Sequence, residues 1–231
     1  DFGFGAATGI DLPGESVGLF RPTVRWSALS LPSLSFGQEI GVTGLQITMA
    51  AAAIANGGYL MKPILVKRVE DAEGRLVKET KPLVVRRVLT PETVDTLSEI
   101  LRTVVTEGTG RKAAVPGYVV AGKTGTAQKI DASGRYSMVD HVASFVGFLP
   151  AARPALVILA SLDGPRVAAN QGGDVAAPLF ARVAEGALRI LAVPPDDPGR
   201  VLRAVATPPE AVVPAAYRPQ GPARPAVVPP A

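Results

Sequence analysis

A chain of 231 residues, 47% of them hydrophobic, is long enough to bury one substantial core with sequence to spare. Its 24 Lys and Arg against 20 Asp and Glu leave a net charge of only +4, spread along the chain rather than gathered in a block, so nucleic acid is not expected as a partner. With no cysteine and a single histidine, neither a disulfide framework nor a thiolate or imidazole metal centre is available, and no metal or cofactor is expected.

The chain opens on Asp1-Phe2 without an initiator methionine and is expected to be a processed or truncated piece. Glycines and Pro13 make the stretch from Phe2 to Gly18 a loop, with tight turns over Gly9 to Glu15. After a second loop around Pro32, Thr43 is placed to cap a helix over Gly44–Ala55, which Gly57 and Gly58 stop. That helix is apolar on nearly every side and is predicted to be buried. The apolar run from Leu45 to Leu60 is interrupted by Gln46, Thr48, Asn56 and two glycines, so it does not read as a membrane span. No signal-peptide pattern opens the chain, and any membrane anchor is expected outside it.

Alternating runs at Ile64 to Val69 and Leu76 to Thr80, joined across Asp71 to Gly74, predict a hairpin. Thr90-Pro91 starts a helix in which Val94, Leu97, Ile100, Leu101, Val104 and Val105 recur at helical spacing until Gly108. Three strands follow, Tyr118 to Lys129, Val142 to Leu149 and Ala155 to Leu162, with short connections that favour an antiparallel meander. A final amphipathic helix, Val175 to Leu191, is expected to turn Val175, Leu179, Val183 and Leu191 inward. The composition then changes, because 11 of the 22 prolines lie in the last 38 residues. Residues 1–193 therefore read as one domain of α+β class, and 194–231 as a proline-rich linker or disordered tail.

The chemistry is carried by Lys123-Thr124-Gly125-Thr126, which continues the apolar strand Val119 to Ala121. In serine-lysine acyl-transfer enzymes such a tetrad has a physical logic. Lys123 supplies positive potential for an anionic substrate end, and the Thr124 and Thr126 hydroxyls can donate hydrogen bonds to a carboxylate. Gly125 lets a substrate backbone lie against the strand, where a nearby N–H can face a developing oxyanion. The expectation is an extended edge whose cation, hydroxyls and amides converge on a bound peptide terminus.

Around the tetrad the chain resembles class B penicillin-binding proteins. The blocks, in order, are Phe4-Gly5, Gly9 to Glu15, Gly37 to Thr43, Ala55 to Gly58, Gly108-Thr109-Gly110, Gly122 to Gln128, His141 to Pro150, Gly172-Gly173 and Ala176 to Pro178. The resemblance implies a β-lactamase/transpeptidase-like fold, an antiparallel sheet flanked by helices and incomplete at its N-terminal side. It implies a D,D-transpeptidase that cross-links peptidoglycan by serine acyl transfer on D-Ala-D-Ala stem peptides and binds β-lactams. Lys123 and Thr126 would be catalytic; Thr124, Gly125 and Thr126 would bind substrate, with Thr126 also lending its N–H to the oxyanion hole. It further implies a place on the outer, periplasmic face of the inner membrane and a membrane glycosyltransferase as partner. One departure is plain: no serine in the chain has lysine three positions on or asparagine two positions on, so the family's Ser-x-x-Lys nucleophile and Ser-x-Asn relay are absent. They are expected upstream of Asp1, with the rest of the sheet and the helical lobe that bears the nucleophile, and this chain alone is expected to be inactive and poorly stable.

Two rival functions remain on sequence. Gly117 to Thr124 satisfies the Walker A pattern and Leu156 to Asp163 imitates an apolar strand ending in aspartate, but the first is strand-forming and no amphipathic helix follows Thr124. A penicillin-sensing or docking module without turnover is the other. Bland roles are assigned elsewhere: a strand-end His141 that is solvated or locally bonded, a loop-to-helix polar network for Gln38 and Glu39, a turn at Asp163-Gly164, a solvated Arg166, and tight backbone geometry at Gly172-Gly173.

Overall fold

The computed structural model describes residues 1–131 and 133–199. Of the proline-rich segment predicted from residue 194, everything from residue 200 lies outside the described residues.

Short elements fill the first part of the chain. Strands β1 (Leu19–Phe20) and β2 (Ile40–Gly41) pair antiparallel, and a one-and-a-half-turn helix α1 (Ser30–Ser35) lies between them. The expected loop around Pro32 is thus helical, because a proline in the first turn gives up an N–H that has no partner there anyway. Helix α2 (Gly44–Ala55) starts on a reciprocal cap: Thr43 Oγ1 accepts from Gln46 N while Gln46 Oε1 accepts from Thr43 N. The same Gln46 side chain donates to Ala6 O and Val17 O at 3.0 Å each, which ties the glycine-rich opening loop to the helix.

Strands β3 (Tyr59–Met61) and β6 (Val84–Arg87) pair around the hairpin β4–β5 (Arg68–Glu70, Leu76–Glu79). The hairpin is shorter than the alternation implied, and both of its strands are exposed throughout, so local bonds hold it. Asp71 Oδ1 accepts from Glu73 N and Arg75 N in the turn. Helix α3 (Pro91–Thr106) begins where predicted, with Thr90 Oγ1 accepting from Thr93 N and Pro91 in its first turn.

The sheet that organises the molecule is β7 (Ala121–Ile130), β8 (Tyr136–Leu149) and β9 (Leu156–Asp163), an antiparallel meander in the order β7-β8-β9. Strand β7 starts three residues later than expected. Val119 N donates instead to Asp196 Oδ2 at 2.8 Å, and Tyr118 Oη donates to Val193 O at 2.7 Å, which fastens the segment after the last helix to the strand's entrance. Strand β8 is longer than expected and runs past the end of β9 as a two-stranded arm, since β9 stops opposite Val142.

Alternation gives the sheet two different faces. On one, Phe145, Leu149 and Ala160 meet helix α4 (Ala177–Ile190) in the main core, where the Phe145 and Phe180 rings pack edge to face with centroids 4.8 Å apart. On the other, Val146 and Phe148 face α2 across an apolar groove of about 250 Å³ that Phe2, Phe4, Ile47 and Ile54 also line. Helix α2 is accordingly half-buried rather than enclosed, with only Gln46, Ala51 and Ala53 fully covered.

Helix α4 corrects the expected inward stripe. Leu179, Val183 and Leu191 are exposed, and the covered positions are Ala177, Phe180, Ala181, Ala184 and Leu188. The helix enters through a single π turn, Gly172–Ala176, whose wider pitch turns the following residues relative to an α-helix started at Val175. The nucleotide-loop reading also fails here, because Gly117 to Thr124 runs into a sheet strand that continues to Ile130 instead of opening a helix.

Because Phe180 is fully buried against Phe145, Phe180→Ala should lower stability by about 3–5 kcal/mol. A denaturant titration will show this as a fall in midpoint with an unchanged slope.

Candidate active site

The tetrad Lys123 to Thr126 lies on β7, which is paired with β8 on one side only, so its outer edge carries no strand among the described residues. Register places Lys123 opposite Val146, Thr124 opposite Phe145, Gly125 opposite Ser144 and Thr126 opposite Ala143. Thr124 and Thr126 therefore share the α4 face with Phe145, while Lys123 and Gly125 share the α2 face with Val146. The cation and the two hydroxyls stand on opposite faces. A ligand reached by both must lie along the strand's open edge.

Lys123 is exposed, and its Nζ turns back to donate to Thr124 O at 2.9 Å. The threonines are held from behind. Thr126 Oγ1 accepts from Gly172 N at 3.1 Å, and Thr124 Oγ1 lies 2.7 Å from Thr109 Oγ1. The Thr face opens on a pocket of about 340 Å³ lined by Thr109, Lys112, Thr124, Thr126, Gln171 and Asp174. Within its wall Lys112 Nζ and Asp174 Oδ1 form a 2.8 Å ion pair.

Gly172 explains why the turn before α4 is glycine. A methyl group there would overlap Gly125 O and Ser144 O, the backbone of the β7–β8 ladder itself. The turn thus lies flat on the sheet, which is what brings its N–H to Thr126. Gly125 is less constrained, because a side chain there would meet only the Ser144 hydroxyl, at 2.5 Å, which can rotate aside. The tetrad's third position keeps the α2 face of the strand low, between Lys123 and the ladder.

The other residues singled out in the sequence lie away from this edge. His141 Nε2 donates to Asn170 O at 2.9 Å, Asp163 pairs with Lys129 at 2.8 Å, and Arg166 pairs with Asp140 at 2.8 Å. Glu39 joins Arg21 and the buried Ser30 hydroxyl, and Ser30 first, then Arg21, hold its carboxyl below the usual carboxylate range. It is a polar knot between the β1 segment, α1 and the β7–β8 arm, whose Tyr136 Oη reaches Glu39 N. Thr109 was not assigned a role on sequence, although a threonine between two glycines at a helix end was a visible signal.

Residues 1–185 match the penicillin binding protein transpeptidase domain family. The chain belongs to that family, as the transpeptidase domain of a class B penicillin-binding protein. It is 41% identical over 196 residues to stage V sporulation protein D of Bacillus subtilis, covering 84% of this chain and 30% of that protein. A Pseudomonas aeruginosa relative named "Probable peptidoglycan D,D-transpeptidase PbpC" is 36% identical over 197 residues, covering 84% of this chain and 33% of that protein. The crystal structure of penicillin binding protein 3 of Mycobacterium tuberculosis complexed with aztreonam superposes with a TM-score of 0.76 at 38% identity, over 85% of this chain and 46% of that one. The chain thus spans about a third of the length of these curated relatives, and its fold is the transpeptidase fold of the family.

Gly172→Ala would lift the turn off β7 and release Thr126, at a cost of about 1–3 kcal/mol. The check is a fall in denaturation midpoint together with faster hydrogen exchange at the amide of position 172.

Proposed function

We propose that this chain supplies the lysine-strand half of a serine D,D-transpeptidase site that cross-links peptidoglycan. The observation that carries this is the Lys123-Thr124-Gly125-Thr126 segment on an open sheet edge, in a chain of the penicillin-binding transpeptidase family. The nucleophile comes from outside these 231 residues, which hold no Ser-x-x-Lys and no Ser-x-Asn.

The stem peptide's D-Ala-D-Ala end lies along the edge of β7, its terminal carboxylate on the Thr124 and Thr126 hydroxyls. The serine oxygen attacks the carbonyl between the two alanines and the tetrahedral oxyanion forms, with the N–H of Thr126 contributing to its hole. Collapse breaks the C–N bond, and the departing D-Ala nitrogen takes a proton. An amine of a neighbouring strand then attacks the acyl-serine, forms the new amide and returns the proton to the serine oxygen. Lys123, on the opposite face, supplies positive potential and tunes proton transfer at the serine lobe packed against that face. A β-lactam presents the same carbonyl and carboxylate and stalls after the first step.

Family membership and the relatives' names support this assignment: the Pseudomonas aeruginosa relative is named for peptidoglycan D,D-transpeptidation, and the M. tuberculosis protein was crystallised with aztreonam and with ampicillin. No described helix is long and apolar enough to cross a membrane. The proposed setting, the outer face of the inner membrane beside a glycosyltransferase that polymerises lipid-linked disaccharide, needs an anchor from elsewhere in the protein.

The test uses the protein that joins this chain to its Ser-x-x-Lys lobe, exposed to a fluorescent penicillin. Covalent labelling is expected, and Lys123→Ala should slow it at least about a hundredfold. A Lys123→Ala protein labelled at the parent rate would contradict the assignment of the strand.

A further inference from the structure

The two substrate-facing hydroxyls share one arrangement. Each has a hydrogen-bond partner behind it, Gly172 N for Thr126 and Thr109 Oγ1 for Thr124. A hydroxyl offers one proton and two lone pairs. Thr126 spends a lone pair on the Gly172 amide, so its proton stays available to the pocket. Thr124 has the same freedom only when Thr109 is the donor in their 2.7 Å contact; if Thr124 donates instead, its proton is used up on Thr109.

An anion in the pocket decides between these two directions. The pocket's cations each hold a partner of their own, Lys112 with Asp174 and Arg111 with Glu107 O, and the donors that the strand itself presents are the Thr124 and Thr126 hydroxyls. A carboxylate accepts only, so both threonine protons must point at it, and Thr109 must then donate to Thr124. The backbone fixes Thr109 for this task. Its carbonyl lies so close to Gly173 that a methyl group on Gly173 would overlap it, and that pins the turn after α3 against the π turn before α4.

We propose that Thr109 is a positioning residue: its hydroxyl donates to Thr124 Oγ1 and thereby aims the Thr124 proton at the terminal carboxylate of the bound peptide or β-lactam. This rests on the function proposed above and adds to it a residue outside the Lys-Thr-Gly-Thr segment. Thr109 does not touch the reacting carbonyl. Its effect belongs to binding of the carboxylate rather than to the acylation step.

The experiment compares Thr109→Val and Thr109→Ser in the protein carrying both lobes, with penicillin G and its methyl ester as probes. Acylation is followed over a range of concentrations, so that the dissociation constant of the non-covalent complex is separated from the rate of acylation. With penicillin G, Thr109→Val should raise the dissociation constant about tenfold and leave the acylation rate within about twofold, and Thr109→Ser should restore the parent value. With the ester, which has no anionic carboxylate, Thr109→Val should behave as the parent does. An equal loss on both probes would show a merely structural role and overturn the proposal, as would a Thr109→Val protein indistinguishable from the parent on penicillin G. In either case an acylated parent leaves the transpeptidase assignment standing. A parent that no penicillin acylates would remove that assignment and this proposal with it.

Discussion

The contact between Phe145 and Phe180 is the constraint on which the site depends. Phe145 sits on the middle strand directly opposite Thr124, and its ring is fully buried edge to face against Phe180 of α4. That contact fixes how far α4 stands from the sheet, and with it the height of the π turn that leads into α4. The turn in turn lays Gly172 on the β7–β8 backbone and Gly173 against Thr109. Hydrophobic packing on one side of the strand thus sets hydroxyl geometry on the same side, with glycine as the only residue thin enough to transmit it. On the opposite face Phe148 is buried as well, under α2, but the packing there is incomplete. There α2 leaves an apolar groove beside Lys123, and the lysine side chain is free to turn back on its own strand.

This asymmetry gives chemical sense to splitting the tetrad between two faces. Hydroxyl donors for a carboxylate must be rigid to discriminate, and they belong on the packed face. On the function proposed above, a lysine that works on a neighbouring lobe's serine needs reach, and it belongs on the open one. The strand edge is the line both can serve, and a peptide laid along it would extend the sheet by one strand.

Much of the fold was legible because local signals agreed with the global arrangement. Thr43, and Thr90 with Pro91, announced α2 and α3, and both threonines cap their helices; the reciprocal bond from Gln46 was not read. The three long strands were readable from their length and composition. What could not be read is non-local or slight. Tyr59–Met61 and Val84–Arg87 are too short to show alternation, and their pairing spans the whole β4–β5 hairpin. The face of α4 was misjudged because two apolar stripes run along that helix, and the choice between them is made by Phe145 and by a π turn, neither of which leaves a periodic trace. Of the site, the tetrad and the glycine pair at Gly172 were visible as motifs. The pairing of Thr109 with Thr124 was not, since it joins residues of two different elements.

The most direct measurement is a crystal structure of the penicillin-acylated protein that contains both lobes. The ligand should lie along the outer edge of β7 with its carboxylate within hydrogen-bond distance of both Thr124 and Thr126 Oγ1. A ligand bound elsewhere, with that edge empty and the two hydroxyls unengaged, would contradict the account.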